Sequence, residues 1–181
     1  MNTVVLIIII VAIIIVGLTL IYFINYNKIK KDLIRITTSE SEIDDTLEKR
    51  YNLLVELEKI INDSTNLKQN NFKTIENKKN KMKNYELDKH LTKIANTFNK
   101  IWEDYPVELE KESFRNLMTD LKINEEKNES NKSYYNKYAT SLNKLINSFP
   151  NNIIAKIHKI EQRQCFDNKE ISDEEILDFK Y

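Results

Sequence analysis

The chain has 181 residues, with 28 basic and 28 acidic side chains and a formal net charge of zero. This balance leaves no electrostatic footprint for nucleic acid. Its one glycine, Gly17, lies in an apolar N-terminal run. The glycine-free remainder excludes the P-loop, the dinucleotide fingerprint and the EF-hand loop in their usual forms, and argues against a β-rich fold.

From Thr3 to Ile24 there is no charged residue, and Ile, Val and Leu dominate. As a helix this stretch spans roughly 30 Å, the thickness of a bilayer's hydrocarbon core. A cleaved signal peptide needs a basic start, a shorter apolar core and small residues at its end. Here Met1-Asn2-Thr3 has no Lys or Arg, and the run ends in the bulky Ile21-Tyr22-Phe23-Ile24. A retained anchor over residues 1–25 is therefore expected. Tyr22, Phe23 and Tyr26 suit the headgroup layer. Lys28, Lys30, Lys31 and Arg35 follow as candidate membrane-surface contacts. By the positive-inside rule the N-terminus is outside and the following domain, 26–166, is cytoplasmic.

Apolar residues then recur at alternating steps of four and three: Ile29, Leu33, Ile36, Ile43, Leu47, Leu54, Leu57 and Ile61. Glu40 and Arg50 interrupt this heptad seam, and Thr37-Thr38-Ser39 is a candidate weak point. The spacing predicts one long helix that continues from the anchor and ends near Asn62-Asp63-Ser64. A second helix is expected from about Phe72 to Asp104, with Leu87, Leu91, Ile94, Phe98, Ile101 and Tyr105 on its apolar face.

Pro106 suits the first turn of a third helix. That helix carries Phe114, Leu117, Leu121, Tyr135, Tyr138, Leu142, Leu145 and Phe149. Three consecutive seam positions are Asn124, Asn128 and Asn131, which predicts a weakly packed or wet middle. Pro150 ends it, and Asn151 or Asn152 caps a fourth helix expected from Ile153 to about Cys165. The tail, 167–181, contains Ser172-Asp173-Glu174-Glu175, a capping-box pattern before Ile176, Leu177 and Phe179. The fold class is all-α: one transmembrane helix continuing into an antiparallel bundle of long helices.

Several of these residues resemble the LemA family of bacterial membrane proteins. The likeness begins with Tyr26-Asn27 and is strongest at Ser41-Glu42-Ile43-Asp44, Leu47 and Arg50-Tyr51-Asn52-Leu53. It resumes at Tyr105-Pro106, Leu109, Phe114, Leu117, Leu121 and Tyr134-Tyr135-Asn136, and closes with Phe149-Pro150-Asn151-Asn152-Ile153-Ile154-Ala155. Asn52 stands where the family usually has an acidic residue, Glu125-Glu126-Lys127-Asn128 departs from its pattern, and residues 62–85 match poorly. The resemblance implies an N-terminal membrane helix with an extracellular N-terminus, a bundle of long helices, and no established activity. It supplies no catalytic residues.

The remaining candidates for chemistry are few. His90 and His158 fall in different helices without zinc-type spacing, and Cys165 is the only cysteine, so neither a disulfide nor a paired-thiol metal site is available. No cofactor is expected. Asp44 and Arg50, six residues apart, do not face each other on a helix, so each is expected to meet a partner from another helix as a buried ion pair or interaction position. Tyr134, Tyr135, Tyr138, Phe149, Trp102 and Tyr105 are expected to form core at one end of the bundle, with a groove for a partner helix as the alternative. The run Lys78-Lys79-Asn80-Lys81-Met82-Lys83 is expected to be a solvated face, with contact to anionic lipid the alternative. The expected function is a non-enzymatic, membrane-anchored scaffold or regulator with lipid and protein partners, or self-association through its helices. The alternative is a sensor that transmits through a joint at Thr37–Glu40.

Overall fold

The computed structural model describes residues 3–65, 67–72 and 82–166. Among them there are four helices and no strand: α1 (Thr3–Ser64), α2 (Asn84–Asp104), α3 (Glu112–Asn147) and α4 (Asn151–Ile157). The Lys78–Lys81 run and the capping-box pattern at Ser172 lie outside the described residues.

Helix α1 runs unbroken for 62 residues, through Thr37–Glu40. Its first part is long and apolar enough to cross a membrane, with a mean hydropathy of 3.6 over 18 residues and none of that window buried. Such an Ile- and Val-rich stretch has no strong helix propensity in water, but in an apolar medium only a helix satisfies its backbone internally. The helix stops at Ser64 as expected. There Thr65 donates both its amide and its hydroxyl to the Ile61 carbonyl, at 2.9 and 2.7 Å.

The chain divides into two compact units, residues 1–38 with 135–181 and residues 39–134. The second is a bundle of α1, α2 and the first part of α3. Its core holds Ile43, Leu47, Leu54, Leu57, Leu91, Phe98, Leu109 and Phe114, all essentially inaccessible. Helix α3 runs antiparallel to α1, since Lys111 bonds Ser64 while Asn124 bonds Thr46. Helix α2 runs in the same direction as α1, since Asn84 meets Asp44 and Thr92 meets Arg50. The chain must therefore return along the end of α1. Gln69 N–H donates to Asn62 Oδ1 (2.7 Å), Asn71 N–H donates to Glu58 Oε1 (2.7 Å), and Phe72 is buried edge-on against Tyr51 at 5.2 Å.

This return explains why Phe72 does not open the second helix. It lies in a bend, and α2 begins only at Asn84, after an extended Lys83. Pro106 likewise lies outside α3. Residues 106–109 form a turn, closed by Leu109 N–H donating to the Tyr105 carbonyl at 3.2 Å, which swings Leu109 into the core. Helix α3 starts at Glu112.

In the first unit, Ile29 and Ile36 of α1 and Ala139, Leu142 and Ile146 of α3 are buried. Asp32 accepts from the Ser141 hydroxyl at 2.9 Å. The expected helix from Ile153 to Cys165 is shorter than predicted. Helix α4 ends at Ile157, and Lys159 adopts a left-handed conformation with φ of 53°. The amides of Lys159 and Ile160 donate back to Lys156 (3.3 Å) and Ala155 (2.9 Å), the paired bonds of a Schellman cap. That position usually takes glycine; in this domain a lysine fills it.

From Ile160 the chain is an extended strap fastened by asparagines of α3. Asn143 donates to the Arg163 carbonyl and accepts from its amide, at 2.7 and 2.9 Å. Asn136 clamps Phe166 in the same way, at 3.1 and 2.5 Å. These side chains satisfy backbone groups that a helix would have satisfied internally.

Candidate functional site

A buried polar network crosses the second unit where its three helices meet. Arg50 of α1 donates through Nη1 to Asp88 Oδ1 (3.0 Å) and Thr92 Oγ1 (3.2 Å) of α2, and through Nη2 to Glu125 Oε1 (2.6 Å) of α3. Asp88 also accepts from Asn128 Nδ2 (2.9 Å) and pairs through Oδ2 with Lys132 Nζ (3.0 Å). Lys132 reaches Glu129 at 2.5 Å. Asn128 Oδ1 accepts from Thr46, and Asn124 donates to the Thr46 carbonyl, both at 2.9 Å.

Two buried cations thus share one buried carboxylate. The outer carboxylates are wetter, with side chains 37% exposed at Glu125 and 69% at Glu129, and they bring the ionised count to two positive and three negative. Burial pulls the Lys132 ammonium down, but its hydrogen bonds to Glu129 and Asp88, and the charges of both, raise it above the ordinary lysine value. Lys132 therefore stabilises the fold fully below the unfolded lysine range. It loses that contribution only as the pH rises through the higher folded value. Such a network adds little net stability relative to apolar packing, but it is costly to break. Among the described residues, Arg50 Nε and Asn131 Nδ2 have no hydrogen-bond partner.

The seam asparagines are thus buried, but Asn124 and Asn128 are tied into the network rather than loosely packed or wet. At the interruption of the α1 seam, Ser39 takes the inward position and is fully buried, while Glu40 is half-buried. Two turns earlier Asp32 is buried and Leu33 only half so.

Of the two positions singled out from sequence, Arg50 sits at the centre of the network. Asp44 does not join it; it is exposed and accepts from Asn84 at the start of α2. Asp88 and Lys132 escaped the sequence reading, because an acid and a lysine on a charged helix look like surface. The single hint was the apolar spacing, which places Asn128 inward.

Near the anchor, Lys28, Lys30 and Lys31 are exposed, whereas Arg35 pairs with Asp32 (3.6 Å) and lies over the Tyr138 ring, 4.5 Å from its centroid. Burial raises the Asp32 carboxyl above its usual range, opposed by the Ser141 hydrogen bond and the charges of Arg35 and Lys31. Burial, then the charge of Arg35, lowers the Lys137 ammonium.

The expected aromatic cluster does not form. Phe149 and Tyr134 are exposed, Tyr135 packs edge-on to Phe166, and Trp102 packs edge-on to Phe114 at 5.8 Å. Trp102 also lines an open groove of about 620 Å³ between α2 and α3, with Asn99, Arg115, Met118 and Lys122. His90 is exposed on α2, and Cys165 lies in the strap, 3.5 Å from the Thr140 hydroxyl. Among the described residues, no three His, Cys, Asp or Glu side chains are grouped to hold a metal ion.

Fold and site together define an all-α protein whose helical bundle is keyed by a buried ionic network and whose first helix opens with a long apolar stretch. The LemA family model matches residues 39–179, and the chain belongs to that family. No curated protein and no solved structure matches it.

Proposed function

We propose that this chain is a membrane-anchored scaffold or regulator, without catalytic activity of its own, that holds its helical bundle at the cytoplasmic face of a bacterial membrane. The observation that carries this reading is that the exposed apolar stretch and the inward-facing residues of the bundle belong to one uninterrupted helix, α1. Three lysines follow the apolar stretch within two turns, which favours an outside N-terminus. Protein partners, or a second copy, would bind through helix surfaces. The full chain should pellet with membranes and resist alkaline extraction, and a variant lacking residues 3–24 should be recovered soluble and folded. Turnover by the purified chain in broad hydrolase and transferase screens would overturn the reading.

A second reading, a signal-transmitting element, is favoured by one observation. The division between the two compact units falls at Thr38 and Ser39, beside the polar interruption of the seam. A Glu40→Leu variant should then keep its helix content but change a cellular readout. An unchanged readout counts against it.

A further inference from the structure

Helix α4 is amphipathic, and its apolar outer face is exposed. Ile153 and Ile157 are spaced by four, so they share one side of the helix, and Phe149 lies in the turn that leads into it. Phe149 is 80% exposed, Ile153 50% and Ile157 63%. The opposite side is buried through Asn151, Ile154 and Ala155. Two large apolar side chains facing outward from a seven-residue helix, with an exposed Phe in the turn before it, are costly in water and mark a contact surface.

The position of α4 says what that contact is. Just beyond its end, His158 Nε2 is 2.7 Å from the Tyr22 hydroxyl, and its ring lies 4.6 Å from that of Tyr26. Tyr22 and Tyr26 stack parallel at the exit of the apolar stretch, where Ile21, Phe23 and Ile24 are exposed. Both contacts lie within one compact unit. The outer face of α4 is thus held beside the end of the apolar span, and it is rimmed by the exposed Lys156 and Lys159. Apolar side chains with lysines at their edge, at the level of paired tyrosines, have the composition of a segment lying in a membrane interface.

We propose that α4 is a second membrane contact, with Phe149, Ile153 and Ile157 entering the boundary between headgroups and acyl chains and Lys156 and Lys159 meeting anionic headgroups. This rests on the reading that α1 spans a bilayer. The contact fixes the first unit against the membrane surface at a second point, so that unit is oriented as well as tethered.

The test uses the full chain, with Cys165→Ser, reconstituted in vesicles of phosphatidylcholine and phosphatidylglycerol. An environment-sensitive fluorophore is attached at Ile153→Cys or, as reference, at Ile14→Cys. Both probes should lose emission to lipids brominated on the acyl chains and be shielded from aqueous iodide. Adding Phe149→Ser and Ile157→Ser, both at exposed positions, should restore most of the emission at 153 and leave that at 14 unchanged. If the probe at 14 is quenched by bromine while that at 153 meets only iodide, the anchor stands and this proposal fails. A probe at 153 shielded from both quenchers means that protein, such as a second copy, covers the face, and also overturns it. Quenching at 153 that survives the two serines means that the fluorophore itself drives insertion, and the proposal fails in that case too. An unquenched probe at 14 removes the anchor, and the proposal with it.

Discussion

Asp88→Asn tests the ionic network directly. The substitution keeps the size and one oxygen acceptor but removes the charge that Arg50 and Lys132 share at 3.0 Å each. Removing one partner of a buried pair costs about 3–5 kcal/mol, because the remaining charge stays desolvated. Here two cations are stranded, while Glu125 and Glu129 still reach them from wetter positions. The lower end, about 3 kcal/mol, is therefore expected, or a fall in Tm of roughly 6–12 °C. The measurement is thermal and urea unfolding of the full chain in detergent, followed by circular dichroism and by the fluorescence of Trp102, which packs against Phe114 in the same unit. A triple variant, Arg50→Met with Asp88→Leu and Lys132→Met, should regain most of the loss, because the buried charges are gone and only Glu125 and Glu129 remain, in wetter positions. A loss below about 1 kcal/mol for Asp88→Asn would refute the reasoning, since it would mean that the two cations are not dependent on this carboxylate.

Three further outcomes are expected. Lys159→Gly should stabilise the chain by about 0.5–1 kcal/mol in urea unfolding, because glycine takes the left-handed cap position without strain, which outweighs the freedom it gains in the unfolded chain. Asp32 has a raised carboxyl, so the folded state holds its proton more tightly than the unfolded state does. Its contribution is unfavourable at neutral pH and is relieved as the pH falls through the folded value towards 3.8. Asp32→Asn should accordingly weaken the gain in stability seen on acidification from neutral pH, and an unchanged pH profile would contradict this. Asn143→Ala removes both bonds to Arg163 and should free the strap, with faster amide exchange over residues 160–166 and faster thiol labelling of Cys165, while the rest of the chain keeps its protection.

The parts of the fold that a local pattern specifies were legible in the sequence. Apolar spacing placed Ile43, Leu47, Leu54, Leu57, Leu91, Phe98 and Phe114 inward, where they are buried, and the polar run at Asn62–Ser64 marked the end of α1. The errors arose where partners are distant in sequence. Pro106 suits a helix start by local preference, but burying Leu109 turns the chain first. Ile153 to Cys165 reads as helix until Asn136 and Asn143, far back on α3, hold its second half extended. At the site, Arg50 stood out because a charge interrupts an apolar seam. Nothing near Asp88 shows that this acid, among many exposed ones, is the one that meets Arg50. Asp44 was singled out with Arg50, yet it lies at the surface and meets only the edge of α2, through Asn84.

The central claim is that α1 crosses a membrane and leaves the rest of the chain on the cytoplasmic side. Labelling Cys165 with a membrane-impermeant maleimide, followed by isolation of membranes, tests it most directly. The thiol is half-buried in the strap and accessible to a slow reagent. The account predicts membrane-bound protein that stays unlabelled in intact cells and becomes labelled after lysis. Labelling in intact cells, or recovery of the protein outside the membrane fraction, would contradict it.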